Sequence, residues 1–118
     1  MLDLKEIFDK QAKLQKHAFG IDLPAVNEKL AMYYGFGLYG EIGEVFAADK
    51  QWKPCHKGPR NHDEVREELT DCLLFLVNLM LAQGMSAEDI EAEYRKKYEK
   101  VIERINIDKE NGNVSQIS

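Results

Sequence analysis

An almost wholly apolar segment between residues 68 and 83 limits what this chain can fold into more than any other feature. The apolar spacing is helical, and beyond its first two turns the predicted helix is apolar on nearly all sides. Such a helix needs cover on every side. Three other helices from a chain of 118 residues do not provide that cover, so we predict a homo-oligomer, a dimer or a tetramer, with this helix near its centre. The apolar side chains of the segment are Leu69, Cys72, Leu73, Leu74, Phe75, Leu76, Val77, Leu79, Met80 and Leu81.

Two acidic pairs accompany the apolar segment. Glu41 and Glu44 form the first pair, and Glu68 and Asp71 follow after 23 intervening residues. The i,i+3 spacing puts the two carboxylates of each pair on one face of a helix. Carboxylates at the start of an apolar helical segment are costly to bury unless a cation neutralises them. Four carboxylates from two facing helices suit a hard divalent cation such as Mg²⁺, which indicates phosphate chemistry, although such pairs also occur on solvated helix faces.

Every apolar periodicity in the chain is helical, and no segment has the alternation of a strand, so we predict an all-α fold. The turn signals lie at helix ends. Gly20 suits a C-terminus, Asn61 with Glu64 resembles a capping box, and Ser86 with Asp89 suits a further N-terminus. The predicted helices cover residues 2–18, about 25–52, about 61–84 and 86 to about 106.

The composition is that of one small globular domain, with 44% hydrophobic residues. We expect the domain to cover residues 1–106 and a polar, flexible tail to cover 107–118. The net charge of −5 argues against binding of a nucleic-acid polymer. The chain opens without a signal-peptide pattern, no run is long enough for a bilayer, and the two cysteines lack CxxC spacing. We therefore expect a cytoplasmic protein with no membrane partner.

Gly35, Gly37 and Gly40 form a GxGxxG sequence, which in a dinucleotide-binding fold follows a strand. This chain offers no strand before it, so that interpretation fails. Glycines at 37, 40 and 43 are better explained by the close approach of another helix or by a thin wall beside the metal site.

The acidic pairs and their neighbours resemble the pattern of the all-α nucleoside triphosphate pyrophosphohydrolases, the superfamily of MazG and the dimeric dUTPases. That pattern is EExxE, a variable spacer and ExxD, and here Gly40 replaces the first Glu. Residues 67–79 are similar to the third helix of MazG. Residues 7–14 are similar to the first helix of the dimeric dUTPases, and residues 50–53 to their Lys/Trp segment. The resemblance covers about residues 5–104 and implies a four-to-five-helix bundle.

The resemblance implies Mg²⁺-dependent hydrolysis of a nucleoside triphosphate, and of a deoxynucleotide in particular, to the monophosphate and pyrophosphate. Such an enzyme would clean or control a nucleotide pool. Mg²⁺, with Mn²⁺ as a substitute, would be held by all four carboxylates, and one of them would accept a proton from the attacking water. Two alternatives are a regulatory module that binds nucleotide and metal with little turnover, and a helical assembly protein with structural acidic pairs. The implied metal-binding and catalytic residues are Glu41, Glu44, Glu68 and Asp71.

Three lysines are candidates for binding the phosphates. Lys97 and Lys100 lie on the last predicted helix beside Arg104 and would either face the phosphates or be plain surface charge. Lys53, in the loop before the third helix, is a further candidate.

Polar residues on apolar faces are the candidates for recognising the base and sugar. Gln11 and Gln15 interrupt the apolar stripe of the first helix, where either a base edge or a neighbouring helix would satisfy them. Asn78 in the third helix would contact the sugar or base, or bond across a subunit interface. Trp52 would stack on a base, or cover the core or an interface.

Two positions depart from the dimeric dUTPases. Leu74 stands where many of them carry a His, and Val101 stands where their last helix often has Asn or Arg. We therefore expect a preference among deoxynucleotides that is not strictly for dUTP.

Overall fold

The regular structure of the chain is helical. The computed structural model describes residues 1–50, 53–55 and 58–113, and within these ranges it has four helices and no strand. The predicted all-α class is confirmed. The chain divides into two compact units, Met1–Ser86 and Ala87–Ser118. The helices are α1 (Leu4–Phe19), α2 (Glu28–Asp49), α3 (His62–Ala82) and α4 (Ala87–Glu110).

Side-chain caps set where the first three helices begin. Asp3 and Asn27 each accept a hydrogen bond from the backbone amide three residues later, at 2.8 and 3.0 Å, so α1 and α2 begin after them and not at residues 2 and 25 as predicted. Asn61 caps α3 as predicted. Its side chain accepts from the Glu64 amide and donates to the Glu64 carboxylate, both at 3.1 Å.

Two helix ends differ from the prediction. α2 ends at Asp49 and not at residue 52, because Lys50 adopts the left-handed conformation with φ 58°. α4 continues to Glu110 and not to residue 106, because residues 107–110 contain no helix breaker. Gly112, with φ 70°, follows the end of α4. The first part of the predicted tail is thus helical.

The core of the first unit lies between α2 and α3. Leu30, Tyr34 and Ala82 form a buried cluster, and Phe75 and Leu79 of α3 pack against it. Tyr34 meets Phe75 edge to face, with ring centroids 5.8 Å apart. The two helices therefore share one layer of aromatic and aliphatic side chains.

The segment before α2 is tied to the end of α3 by backbone hydrogen bonds. The Ala25 amide donates to the Leu81 carbonyl at 3.1 Å, and the Asn27 amide donates to the Ala82 carbonyl at 2.8 Å. The start of α2 therefore lies beside the end of α3, and the two helices run antiparallel. This direction carries the later turns of α2 toward the first turns of α3.

α1 packs on α3, and two polar bonds join it to its neighbours in the first unit. Phe8 is buried. Gln11 Nε2 donates to Asn78 Oδ1 of α3 at 3.0 Å, and the Tyr34 hydroxyl of α2 donates to Gln15 Oε1. Burial raises the pKa of Tyr34 and so keeps the phenol protonated, with Tyr33 adding to the effect and the bond to Gln15 opposing it. Each polar bond joins α1 to a different neighbour.

Much apolar surface of the first unit stays outside this core. Six large side chains of α2 are exposed, and an apolar groove of about 570 Å³ runs along the helix between Ala31 and Ile42. Leu69, Leu73 and Leu76 of α3 are exposed as well. In the part of the chain described, no helix combines the length and apolarity needed to cross a membrane. The exposed large apolar and aromatic residues of α2 are Met32, Tyr33, Phe36, Tyr39, Ile42 and Phe46.

Candidate functional site

Three acidic side chains meet where the later turns of α2 pass the first turns of α3. One carboxylate oxygen from each of Glu41, Glu44 and Glu68 lies within 4.8 Å of the other two. Glu41 and Glu44 share a face of α2 because they are three residues apart, and the antiparallel packing brings Glu68 of α3 opposite them. The structure thus gathers three of the four carboxylates that the sequence indicated.

Asp71, the fourth predicted residue, is near this cluster but is not part of it. It lies one turn after Glu68 on α3. Its charge raises the pKa of both Glu41 and Glu68, so its carboxylate acts on the cluster electrostatically. Whether Asp71 binds a metal ion stays a prediction.

The pKa of Glu68 lies well above the usual range of glutamate. A hydrogen bond with Glu44 raises the pKa of Glu68 to about 7, and burial and the negative charges of Glu44, Asp71 and Glu41 act in the same direction. Burial also raises the pKa of Glu41, followed by the charges of Glu44 and Asp71. Near neutral pH, the Glu68 carboxyl therefore carries a proton for part of the time.

Two oxygens of the cluster are buried without a partner. Neither Glu41 Oε2 nor Glu68 Oε2 accepts a hydrogen bond from the described residues. Buried acceptors normally have donors, because their desolvation is otherwise uncompensated. A divalent cation would coordinate both oxygens and offset the repulsion between their carboxylates, so the cluster fits the metal that the sequence indicated.

Cys72, beside Asp71, does not change the oxygen character of the site. Burial raises the pKa of its thiol, and the charges of Glu41, Asp71 and Glu68 raise it further. The thiol therefore stays protonated, whereas a thiolate is needed to bind a soft metal. The donors offered are carboxylate oxygens, which suit Mg²⁺ or Mn²⁺.

The three polar residues predicted to read the base are inside the first unit. Gln11, Gln15 and Asn78 are each more than nine-tenths buried. They bond as described above, Gln11 with Asn78 and Gln15 with Tyr34. The structure thus shows the interhelical bonds that the sequence left open as one alternative. Contact with a base or sugar stays a prediction.

The lysines predicted to bind phosphate lie in separate places along the chain. Lys97 and Lys100 line a shallow depression on α4 together with Arg104, so these cations share one face of that helix. Lys53 is exposed in the segment between α2 and α3. Trp52, predicted to stack on a base, lies outside the described residues.

One hydrogen bond and one ion pair in the first unit were not predicted from the sequence. Tyr34 is the partner of Gln15, and its position seven residues before Glu41, on the same face of α2, was the available signal. Arg60 forms an ion pair with Asp49, with 2.5 Å between Nε and Oδ1, and so connects the end of α2 to the residue before the α3 cap. No spacing rule links residues 49 and 60, so this pair had no signal in the sequence.

Comparison with known proteins gives one family. A family model described as dUTPase matches residues 3–103, which include α1, α2, α3 and most of α4. No curated protein and no solved structure matches the chain significantly. The matched range contains all four acidic residues and every lysine and amide side chain considered above.

The raised pKa of Glu68 makes the stability of the metal-free protein depend on pH. Between about 4.5, the ordinary pKa of glutamate, and about 7, folded Glu68 keeps a proton that the unfolded chain has released. The free energy of unfolding contributed by this group should therefore fall as pH rises through that window, and level off above it. Urea unfolding across the window, with a chelator present, should show a shallower fall for Glu68→Gln than for the wild type. Equal slopes for the two proteins would contradict the raised pKa of Glu68.

Proposed function

The chain belongs to the dUTPase family, and from this we propose that it hydrolyses a nucleoside triphosphate to the monophosphate and pyrophosphate with the aid of a divalent metal ion. The family indicates nucleoside triphosphate hydrolysis in general. The observation that carries the proposal for this chain is the cluster of Glu41, Glu44 and Glu68, with two buried and unpartnered oxygens. A helical protein whose acidic residues served only as solvated surface would have no reason to gather these carboxylates and bury two of their oxygens.

We propose that Glu41, Glu44 and Glu68 hold Mg²⁺, or Mn²⁺ in its place, with Asp71 as a fourth ligand. When bound, such an ion neutralises charge on the phosphates and makes a water molecule more acidic. The chain must then place its carboxylates and release the proton of Glu68. A carboxylate with a free oxygen beside the cluster would accept the proton of the attacking water.

Positioning and charge neutralisation are the main tasks left to the protein in phosphoryl chemistry. A nucleoside triphosphate brings several negative charges to an already acidic site, so cations are needed around it. We propose Lys53, Lys97 and Lys100 for this role. The shared face of Lys97, Lys100 and Arg104 on α4 supports it, because one anionic chain can contact all three.

Selection of the base must come from groups other than the metal cluster, because every nucleotide carries the same phosphates. We propose that Gln11, Gln15 and Asn78 read the base or sugar and that Trp52 stacks on it. In support, the amides are polar groups at a buried junction of α1, α2 and α3, where a change of partner is energetically costly. Since Leu74 replaces the His of many dimeric dUTPases, we propose a preference among deoxynucleotides that is not strictly for dUTP.

Pyrophosphate release from a panel of nucleotides tests the proposal directly. The wild type should hydrolyse at least one of the common deoxynucleoside triphosphates or dUTP when Mg²⁺ is present, and chelation should abolish the reaction. Glu41→Gln, Glu44→Gln, Glu68→Gln and Asp71→Asn should each lose at least about 100-fold in kcat/KM, without loss of metal-free stability, because each removes a like charge. Glu67→Gln, on an exposed neighbour of Glu68, is the matched control and should stay active.

Two outcomes would contradict the proposal. Full activity in any two of the four variants would exclude a shared metal site. Binding of a non-hydrolysable triphosphate by calorimetry, without turnover of any nucleotide in the panel, would instead favour a regulatory module on the same scaffold.

Gln11→Leu tests base selection. It removes the donor to Asn78 Oδ1, so the free energy of unfolding should fall by about 1–3 kcal/mol, because a buried acceptor loses its partner. If Gln11 also reads the substrate, the ranking of kcat/KM among the four dNTPs and dUTP should change more than the kcat of the best substrate does. A uniform change in kcat/KM for every substrate would show that Gln11 is only structural.

We also propose that the protein is a homodimer or homotetramer. The exposed apolar residues of α2 and α3 support this, because monomers rarely leave large connected apolar patches in water. Light scattering should give a multiple of 13.6 kDa, and Leu73→Glu should reduce that mass. Leu2→Glu, on a leucine with comparable exposure outside the helices, is the control and should leave the mass unchanged. A wild-type mass of 13.6 kDa at micromolar concentration would contradict the proposal.

A further inference from the structure

α2 and α3 approach each other at Gly37 in a way that only glycine permits. A Cβ atom on Gly37 would lie 2.3 Å from Cε1 and 2.8 Å from Cδ1 of the Phe75 ring. Ordinary contact begins at 3.4 Å, so an added methyl group would be about 1 Å too close. Either the ring or one of the helices would have to move. By contrast, a Cβ on Gly35, half a turn away, would meet nothing within 4 Å.

The Phe75 ring has little freedom to move aside. On α2 the edge of Tyr34 packs against it, with ring centroids 5.8 Å apart. Tyr34 is itself 5% exposed, and its hydroxyl is held by Gln15 of α1. A methyl group on Gly37 would therefore press on a ring that α1 and α2 already hold in place. Most of the displacement should fall on the separation of α2 and α3.

This contact lies in the layer next to the carboxylates. Gly37 precedes Glu41 by one turn of α2, and Phe75 follows Asp71 by one turn and Glu68 by two turns on the same face of α3. Gly37 has no side chain, and the Phe75 ring fills the hollow this leaves on α2. The distance between the ring and the Gly37 backbone therefore sets the distance between Glu68 and Glu41. The carboxylates repel one another, so a contact that holds the helices together is needed at this level.

We infer that Gly37 and Phe75 are positioning residues, whose contact fixes the spacing of α2 and α3 so that the acidic cluster fits a small divalent cation. The inference rests on the proposed function, because it gives the cluster the task of binding metal. Mg²⁺ requires near-octahedral oxygen ligands at about 2.0–2.1 Å, whereas Ca²⁺ accepts about 2.3–2.6 Å and irregular geometry. A change in helix spacing should therefore weaken Mg²⁺ binding more than Ca²⁺ binding.

Titrations of MgCl₂ and CaCl₂ by calorimetry test this in four variants. Gly37→Ala pushes the helices apart, and Phe75→Leu removes the ring that fills the hollow. Each should weaken Mg²⁺ binding roughly tenfold while changing Ca²⁺ binding much less, because Mg²⁺ tolerates little departure from octahedral geometry and Ca²⁺ tolerates more. The double variant should bind Mg²⁺ more tightly than Gly37→Ala alone, since the methyl group then has room. Gly35→Ala is the control and should keep the wild-type ratio of the two affinities.

The outcomes separate this inference from the proposed function. If the wild type binds Mg²⁺ and releases pyrophosphate but Gly37→Ala keeps its ratio of Mg²⁺ to Ca²⁺ affinity, the contact is only structural and the inference is wrong. If Gly37→Ala does not fold, the ratio of Mg²⁺ to Ca²⁺ affinity in Phe75→Leu decides in its place: an unchanged ratio would show that the inference is wrong. If the wild type neither binds Mg²⁺ nor hydrolyses any nucleotide, the proposed function fails and this inference fails with it.

Discussion

The packing of α2 against α3 holds like charges together, and most of the first unit serves that packing. Glu41, Glu44 and Glu68 repel one another, yet their oxygens lie within 4.8 Å. Three sets of contacts oppose this repulsion: the buried cluster at the start of α2, the backbone bonds from residues 25–27 to the end of α3, and the ring of Phe75 above Gly37. Without these contacts the helices could separate and relieve the repulsion.

Protons and cations compete for the same oxygens in such a cluster. With no cation bound, a hydrogen bond with Glu44, burial and the neighbouring negative charges raise the pKa of Glu68 to about 7, so this carboxyl carries a proton for part of the time near neutral pH. A cation that displaces this proton also satisfies Glu41 Oε2 and Glu68 Oε2, which the proton does not. A site of this kind therefore prefers a multiply charged ligand near neutral pH, in agreement with the phosphate chemistry proposed for it.

The sequence predicted the parts of this structure that follow from local rules. The i,i+3 spacing of the acidic pairs and the helical apolar stripes identified the helices and three residues of the cluster. The capping box at Asn61 was found because both of its members are close in sequence. The partners of Gln11 and Gln15 and the ion pair of Arg60 with Asp49 were not predicted, because each depends on which helices become neighbours. Gly37 lay between these cases: a close helix approach was predicted, but the ring that fills the space was not.

Stability and function are linked in the first unit because its core is small. Among its described residues, only a few apolar side chains are fully removed from water, Leu81 and Ala82 among them, while large apolar residues of α2 and α3 stay exposed. Such a unit has little spare free energy with which to hold repelling carboxylates together. A ligand that binds only the folded state adds stability in proportion to the logarithm of its concentration above its Kd. The proposed metal ion would add this stability at the acidic end of the α2–α3 pair. A second copy of the chain would add stability along the apolar faces. Substrate chemistry and subunit assembly would then stabilise the same helix pair from different sides.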